Sequence, residues 1–286
     1  YVAAKSGPVI HFGGNWIMTE TDGGAPYENT PRPDLPWVGG KMGDDDFEAA
    51  LKVRQAMSYA IDREEMLQEI LGGKGCIAYS FGMDNCNYYW PGEALETPFD
   101  VDKAKALLVE AGYPDGFEVT FWNYSAPATD MGQGCEAVAN YWVKNLGLTV
   151  NIDTSAYQIH RPKFINLRSL DFVWCFGAYA DIGEPAFYLD LIPDATAGRV
   201  LSNLGYDYPE SLDLMDRLSV AFDNADAWAV IQEYLELMGP EGYFYTFGTV
   251  AHPVGGVALG PTIGSSGDMN GLTGVPFDFF TLEPAQ

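Results

Sequence analysis

Few side chains in this sequence are spaced for catalysis, and the most suggestive group suits recognition instead. The three histidines, His11, His160 and His252, lie far apart, and none forms the HExxH pair that brings two imidazoles to one helix face. No GxSxG elbow, P-loop or GxGxxG turn occurs, and Gly264-Ser265-Ser266-Gly267 has the wrong spacing for a nucleophile turn. Carboxylates number 40, so a pair of them nominates no acid–base dyad by itself. The segment that stands out is Phe-Val-Trp-Cys-Phe-Gly-Ala-Tyr-Ala-Asp-Ile-Gly-Glu-Pro at 172–185. It reads as a strand that runs into a turn carrying Trp174, Phe176, Tyr179 and Asp181, before Pro185 opens a helix. Ligands of open α/β sheets bind beyond the carboxyl ends of strands. Aromatic rings there offer flat apolar area, and a carboxylate can hold an ammonium group through a charge-assisted hydrogen bond. The alternative is that Asp181 caps the turn and the aromatics are core.

Composition narrows the classes. Of 286 residues, 47% are hydrophobic, which supports a sizeable core and argues against disorder. No apolar run is long enough to be read as a membrane helix. Fifteen Lys and Arg against 40 Asp and Glu give a net charge of −25, which repels nucleic acid and anionic lipid. Four cysteines, Cys76, Cys86, Cys135 and Cys175, form no CxxC pair, so a zinc finger is disfavoured. Two disulfides suit the even count, with three connectivities open and four buried thiols as the alternative. Pairing Cys76 with Cys86 would close a short loop, and Cys135–Cys175 would then tie a helix to a strand. No cofactor motif is present.

The elements that must position these residues follow from periodicity and breakers. Residues 1–46 are turn-rich beyond one short strand at Val9–Phe12. Asp44-Asp45-Asp46 precedes a helix with Ala50, Val53, Met57, Ala60 and Ile61 on one face. Asp62 and Glu65 have capping-box spacing for a second helix that stops at Gly72-Gly73. Residues 74–98 read as a loop. Helices are expected at 101–111, 130–146, 156–167 (weak, interrupted by Pro162), 209–223 and 225–238, and strands at Phe117–Trp122, Leu148–Asp153 and Phe172–Phe176. Alternating α and β elements imply a layered α/β structure with crossover helices.

Two phrases carry a family resemblance: Val-Arg-Gln-Ala-Met-Ser-Tyr-Ala-Ile-Asp-Arg at 53–63, and Asp-Val-Asp-Lys-Ala-Lys-Ala-Leu-Leu-Val-Glu-Ala-Gly-Tyr-Pro-Asp-Gly-Phe-Glu-Val at 100–119. With 172–185 and 203–238, they make the chain resemble the extracellular solute-binding proteins of family 5, the receptors of bacterial ABC importers, over about 47–286. The resemblance implies a type II periplasmic-binding-protein fold with two lobes. Residues 1–45 would end a lobe 1 segment and cross over, 46–190 would form lobe 2, and 191–286 would return to lobe 1. It also implies an N-terminal segment or second chain completing lobe 1, a periplasmic or extracellular location with a lipid anchor as an option, and a membrane permease as partner. Asp181 becomes the expected contact for a ligand amine, with Tyr179, Trp174, Trp122 and Tyr124 as stacking residues. One departure limits the ligand. Dipeptide receptors hold the peptide carboxylate with an arginine soon after the strand equivalent to Phe117–Trp122, yet no Arg or Lys occurs between Lys105 and Lys144. A longer peptide, an oligosaccharide or another small solute is equally compatible. The competing classes are an assembly subunit that kept the receptor fold, and a secreted glycoside hydrolase.

Overall fold

The computed structural model describes residues 7–14, 32–39, 42–80, 83–86, 90–123, 129–162, 171–177, 209–221, 224–251, 263–265 and 283–284. At its centre is a five-stranded mixed sheet. Its strands are β1 (Pro8–Phe12), β4 (Glu118–Asn123), β5 (Thr149–Asp153), β6 (Val173–Gly177) and β7 (Thr246–Gly248), in the order β5-β4-β6-β1-β7. β4 is parallel to β5 and β6, whereas β1 runs antiparallel to both β6 and β7. The parallel strands need crossovers, and helices supply them. The chain leaves β4 through α4 (Asp130–Tyr141) to reach β5, then passes α5 (Tyr157–Arg161) before β6. The sheet thus draws strands from all three stretches that sequence alone separates at 45/46 and 190/191. Within it, β1 hydrogen-bonds directly between β6 and β7.

The remaining described helices are α1 (Phe47–Tyr59), α2 (Arg63–Leu71), α3 (Val101–Glu110), α6 (Pro209–Ser219) and α7 (Asn224–Leu237). Local chemistry sets several ends. Asp62 accepts from the Glu65 amide and Asp100 from the Lys103 amide, while Thr129 Oγ1 accepts from the Gly132 amide. Asp46 occupies the N-cap of α1 without a side-chain cap bond. α4 continues into a π turn over Trp142–Leu146 and stops at Gly147, whose φ of 70° lies where a side chain is disfavoured.

The stretch 74–98 is more ordered than a loop. β2 (Cys76–Ser80) pairs with β3 (Met83–Asp84) and, across the chain, with β8 (Val250–Ala251). Its pairing partner lies far away in sequence, which local propensity cannot show. The weak helix expected at 156–167 is described only over Tyr157–Arg161, and residues 163–170 lie outside the described set.

The family phrase at 53–63 contributes two buried arginines. Arg54 Nη1 donates to the Trp37 carbonyl at 2.6 Å, and its guanidinium lies 4.2 Å from the Tyr245 ring centroid. Arg63 is enclosed between Tyr79 and Phe247, at 5.0 and 5.6 Å from their centroids. It donates to the carbonyls of Ser58, Thr97 and Gly248 and to Ser58 Oγ. Burial pulls its guanidinium pKa down to about 10, so it remains charged at neutral pH. Arg63 therefore joins the α1–α2 corner to the carboxyl end of β7. On the other flank, Trp142 Nε1 donates to the Met57 carbonyl and Asn145 Nδ2 to that of Ala60, binding the π turn to the end of α1.

Candidate functional site

β4, β5 and β6 are parallel and end on one edge of the sheet. From β4 the crossover goes outward to β5, while β6 lies on its other side. In open α/β sheets, strand ends of this kind are where ligands bind. The end of β4 is Asn123, paired in register with Cys175 of β6. Asn123 is buried, and its Nδ2 donates to the Gly132 carbonyl at 3.2 Å, which holds the first turn of α4 against the strand end. Cys135, one turn further along α4, is joined to Cys175. Gly134 lies so close over β1 that a Cβ there would come within 2.4 Å of Pro8 Cγ. The beginnings of α4 and β1 and the ends of β4 and β6 therefore meet as one packed unit. The second disulfide joins Cys76 and Cys86 in the β2–β3 hairpin. Asp84 lies near both sulfurs, but they are bonded to each other rather than available as thiolate ligands.

On the opposite face of the sheet a polar–aromatic row crosses four strands: Trp122 beside Trp174, Trp174 beside His11, and His11 beside Thr246. The Trp122 side chain is fully buried. Its indole donates to the Ser155 carbonyl at 2.8 Å and packs against Tyr157, His160 and Phe172. Sequence placed it as a stacking residue for ligand; here its ring faces are covered by protein. Trp174, 6% exposed, stacks on His11 with 5.2 Å between centroids. Burial drives the His11 pKa down to about 3, leaving a neutral imidazole beside Thr246.

The end of β5 carries a pair that sequence reasoning missed. Asp153 Oδ2 lies 2.7 Å from His160 Nε2, and Oδ1 accepts from the Ser155 amide. Burial pushes the Asp153 carboxyl up, but the hydrogen bonds from Ser155 and His160 outweigh it and hold the group below the usual carboxylate range. The Asp-x-Ser spacing is a turn signal that could have been read, whereas the histidine could not, because it needs α5 folded back on the strand end. Tyr124, Tyr179 and Asp181 lie outside the described residues. Away from this edge, a groove of about 270 Å³ separates α2 from α4, lined by Glu65, Met66, Glu69, Ile70, Tyr141 and Lys144 among others. Tyr141 donates its phenol to Glu65 across it. Burial and that carboxylate raise the phenol pKa above its ordinary value.

The model of the middle region of the bacterial extracellular solute-binding proteins, family 5, matches residues 22–219. This chain belongs to that family. Its relatives include the heme-binding protein A of Haemophilus influenzae, 26% identical over 217 residues that make up 74% of this chain and 38% of the relative. Among solved structures, HbpA2 from Haemophilus parasuis superposes with a TM-score of 0.62 at 18% identity, covering 89% of this chain and 43% of its own. The dipeptide-binding protein from Pseudoalteromonas sp. SM9913 in complex with Met-Leu also gives 0.62, at 20% identity, covering 91% and 47%. The family 5 chain thus has the type II periplasmic-binding-protein fold and spans less than half the length of these relatives. Among the described residues, no helix is long and apolar enough to cross a membrane.

Proposed function

We propose that this chain carries one lobe of an ABC-importer receptor that captures a peptide or another small solute. The observation that carries the reading is the family 5 sheet itself, with the parallel strands β4, β5 and β6 ending together on one edge. The lobe consists of the 46–190 body with β1 and β7 from the flanking stretches completing its sheet. Sequence beyond these 286 residues, or a second chain, supplies the facing lobe. The solute lies between the two, and tighter binding to the closed arrangement shifts the population toward the form that docks on the permease. The role is binding without chemical conversion, outside the cytoplasm, with lipid anchoring as the means of retention. Asp181 holds an amine of the solute, and Tyr179, Trp174 and Tyr124 belong to its surroundings. Trp122 supports this edge from beneath.

Thermal-shift measurements on the full-length protein test the reading. The compounds are dipeptides, tripeptides, glutathione, heme and a manno-oligosaccharide, classes that named relatives bind or hold in their structures. One class should raise the melting temperature in a concentration-dependent way. Stabilisation by none of them defeats the proposal. For an amine-bearing solute, Asp181→Ala should weaken affinity about tenfold or more, the usual worth of a hydrogen bond to a charged group. Unchanged affinity removes Asp181 from the site.

A further inference from the structure

We infer that the Cys135–Cys175 disulfide is a positioning element of the solute site, fixing the start of α4 against the carboxyl ends of β4 and β6. The inference rests on the solute lying at this edge, as proposed above. The disulfide closes a circuit located entirely at the carboxyl ends of β4 and β6. Asn123 is the last residue of β4 and pairs in register with Cys175. The Asn123 side chain reaches the Gly132 carbonyl, Gly132 lies in the first turn of α4, and Cys135 on α4 returns to Cys175. Both cysteines are fully buried, and Cys175 stands two residues before the end of β6. Pro8, the first residue of β1, is held against Gly134 in the same unit. A bond meant only to hold α4 on the sheet could lie anywhere along the helix. This one lies at the carboxyl ends of β4 and β6, the edge where α/β sheets bind their ligands, and it holds the start of α4 over that edge.

A pre-organised site binds more tightly because less freedom is lost on binding. The variant Cys135→Ala/Cys175→Ala, in the full-length protein, should therefore show amide hydrogen exchange about tenfold or more faster at Asn123, Gly132–Cys135 and Cys175–Gly177. That factor is over and above the global loss of stability, which is all that amides in α1 and α3 should show. The affinity for the compound that stabilises the intact protein should fall about tenfold, mainly through faster release. Cys76→Ala/Cys86→Ala should change neither the affinity nor the protection of these strand ends relative to α1 and α3. Asn123→Leu, which cuts the circuit without touching the disulfide, gives the same local pattern if the double variant does not fold. Protection lost equally across α1, α3 and the strand ends would reduce the disulfide to a general staple and overturn the inference. So would unchanged affinity in a variant with loosened strand ends. An intact protein that binds none of the compounds fails earlier, and takes with it the solute reading on which the inference rests.

Discussion

At the residue scale, the decisive side chains are buried polar ones. His11 is neutral in the fold because burial drives its pKa to about 3, while in the unfolded chain it titrates near the ordinary histidine value of 6.5. Between those values the unfolded chain holds more protons than the native one, so stability rises with pH. The His11 contribution is complete above about pH 6.5 and is lost as pH falls toward 3, at about 1.4 kcal/mol per pH unit. Urea titrations from pH 4 to 7 should show this slope, and His11→Gln should flatten it. Arg63 is the other sensitive point. Its five donor contacts end on carbonyls and one hydroxyl, and Arg63→Met would leave the Ser58, Thr97 and Gly248 carbonyls buried without it. A loss of about 3 kcal/mol or more is expected by chemical denaturation. Arg63→Lys should recover little, because one ammonium cannot reproduce the planar fork.

At the element scale, the two disulfides close loops of different length, with sequence separations of 10 and 40. Chain entropy then ranks them: removing Cys76–Cys86 should cost about 3 kcal/mol and removing Cys135–Cys175 about 4 kcal/mol. Denaturant midpoints of the two double-alanine variants check the order. The same elements mark how far sequence could be read. The α2 cap, the stop at Gly72 and the strand ending at Asn123 follow from local chemistry and were legible from Asp62, Glu65 and the aromatic run at 117–122. β2 and β3 were not, because β2 is completed by Val250–Ala251, far away in sequence. At the candidate site, the strand preceding Asp181 was legible from its aromatic and β-branched residues. The Asn123–Gly132 and Asp153–His160 contacts were not, since each needs a helix folded back on a strand end. The packing around Trp122 was equally illegible, since nothing local reveals that Tyr157, His160 and Phe172 close over its ring.

At the scale of the whole molecule, charge and topology dominate. A net charge of −25 makes the compact state repel itself. Raising potassium chloride from about 0.01 to 0.5 M shortens the screening length from about 30 Å to under 5 Å, and the melting temperature should climb accordingly. A flat or falling curve would mean that local ion pairs such as Arg217–Glu233 outweigh the global repulsion. Topology has a consequence in time. β1 lies between two strands that the ribosome makes far later: Val9 faces Phe176 on one side and Gly248 on the other. As the chain emerges from its N-terminus, Pro8–Phe12 remains without a sheet neighbour until β6 exists, and its other side stays open until β7 follows. Arg63 likewise waits for the Gly248 carbonyl. The central sheet therefore cannot close until Gly248 has been made, so the whole stretch between β1 and β7 is synthesised before its scaffold exists, and the sheet forms late and by long-range pairing.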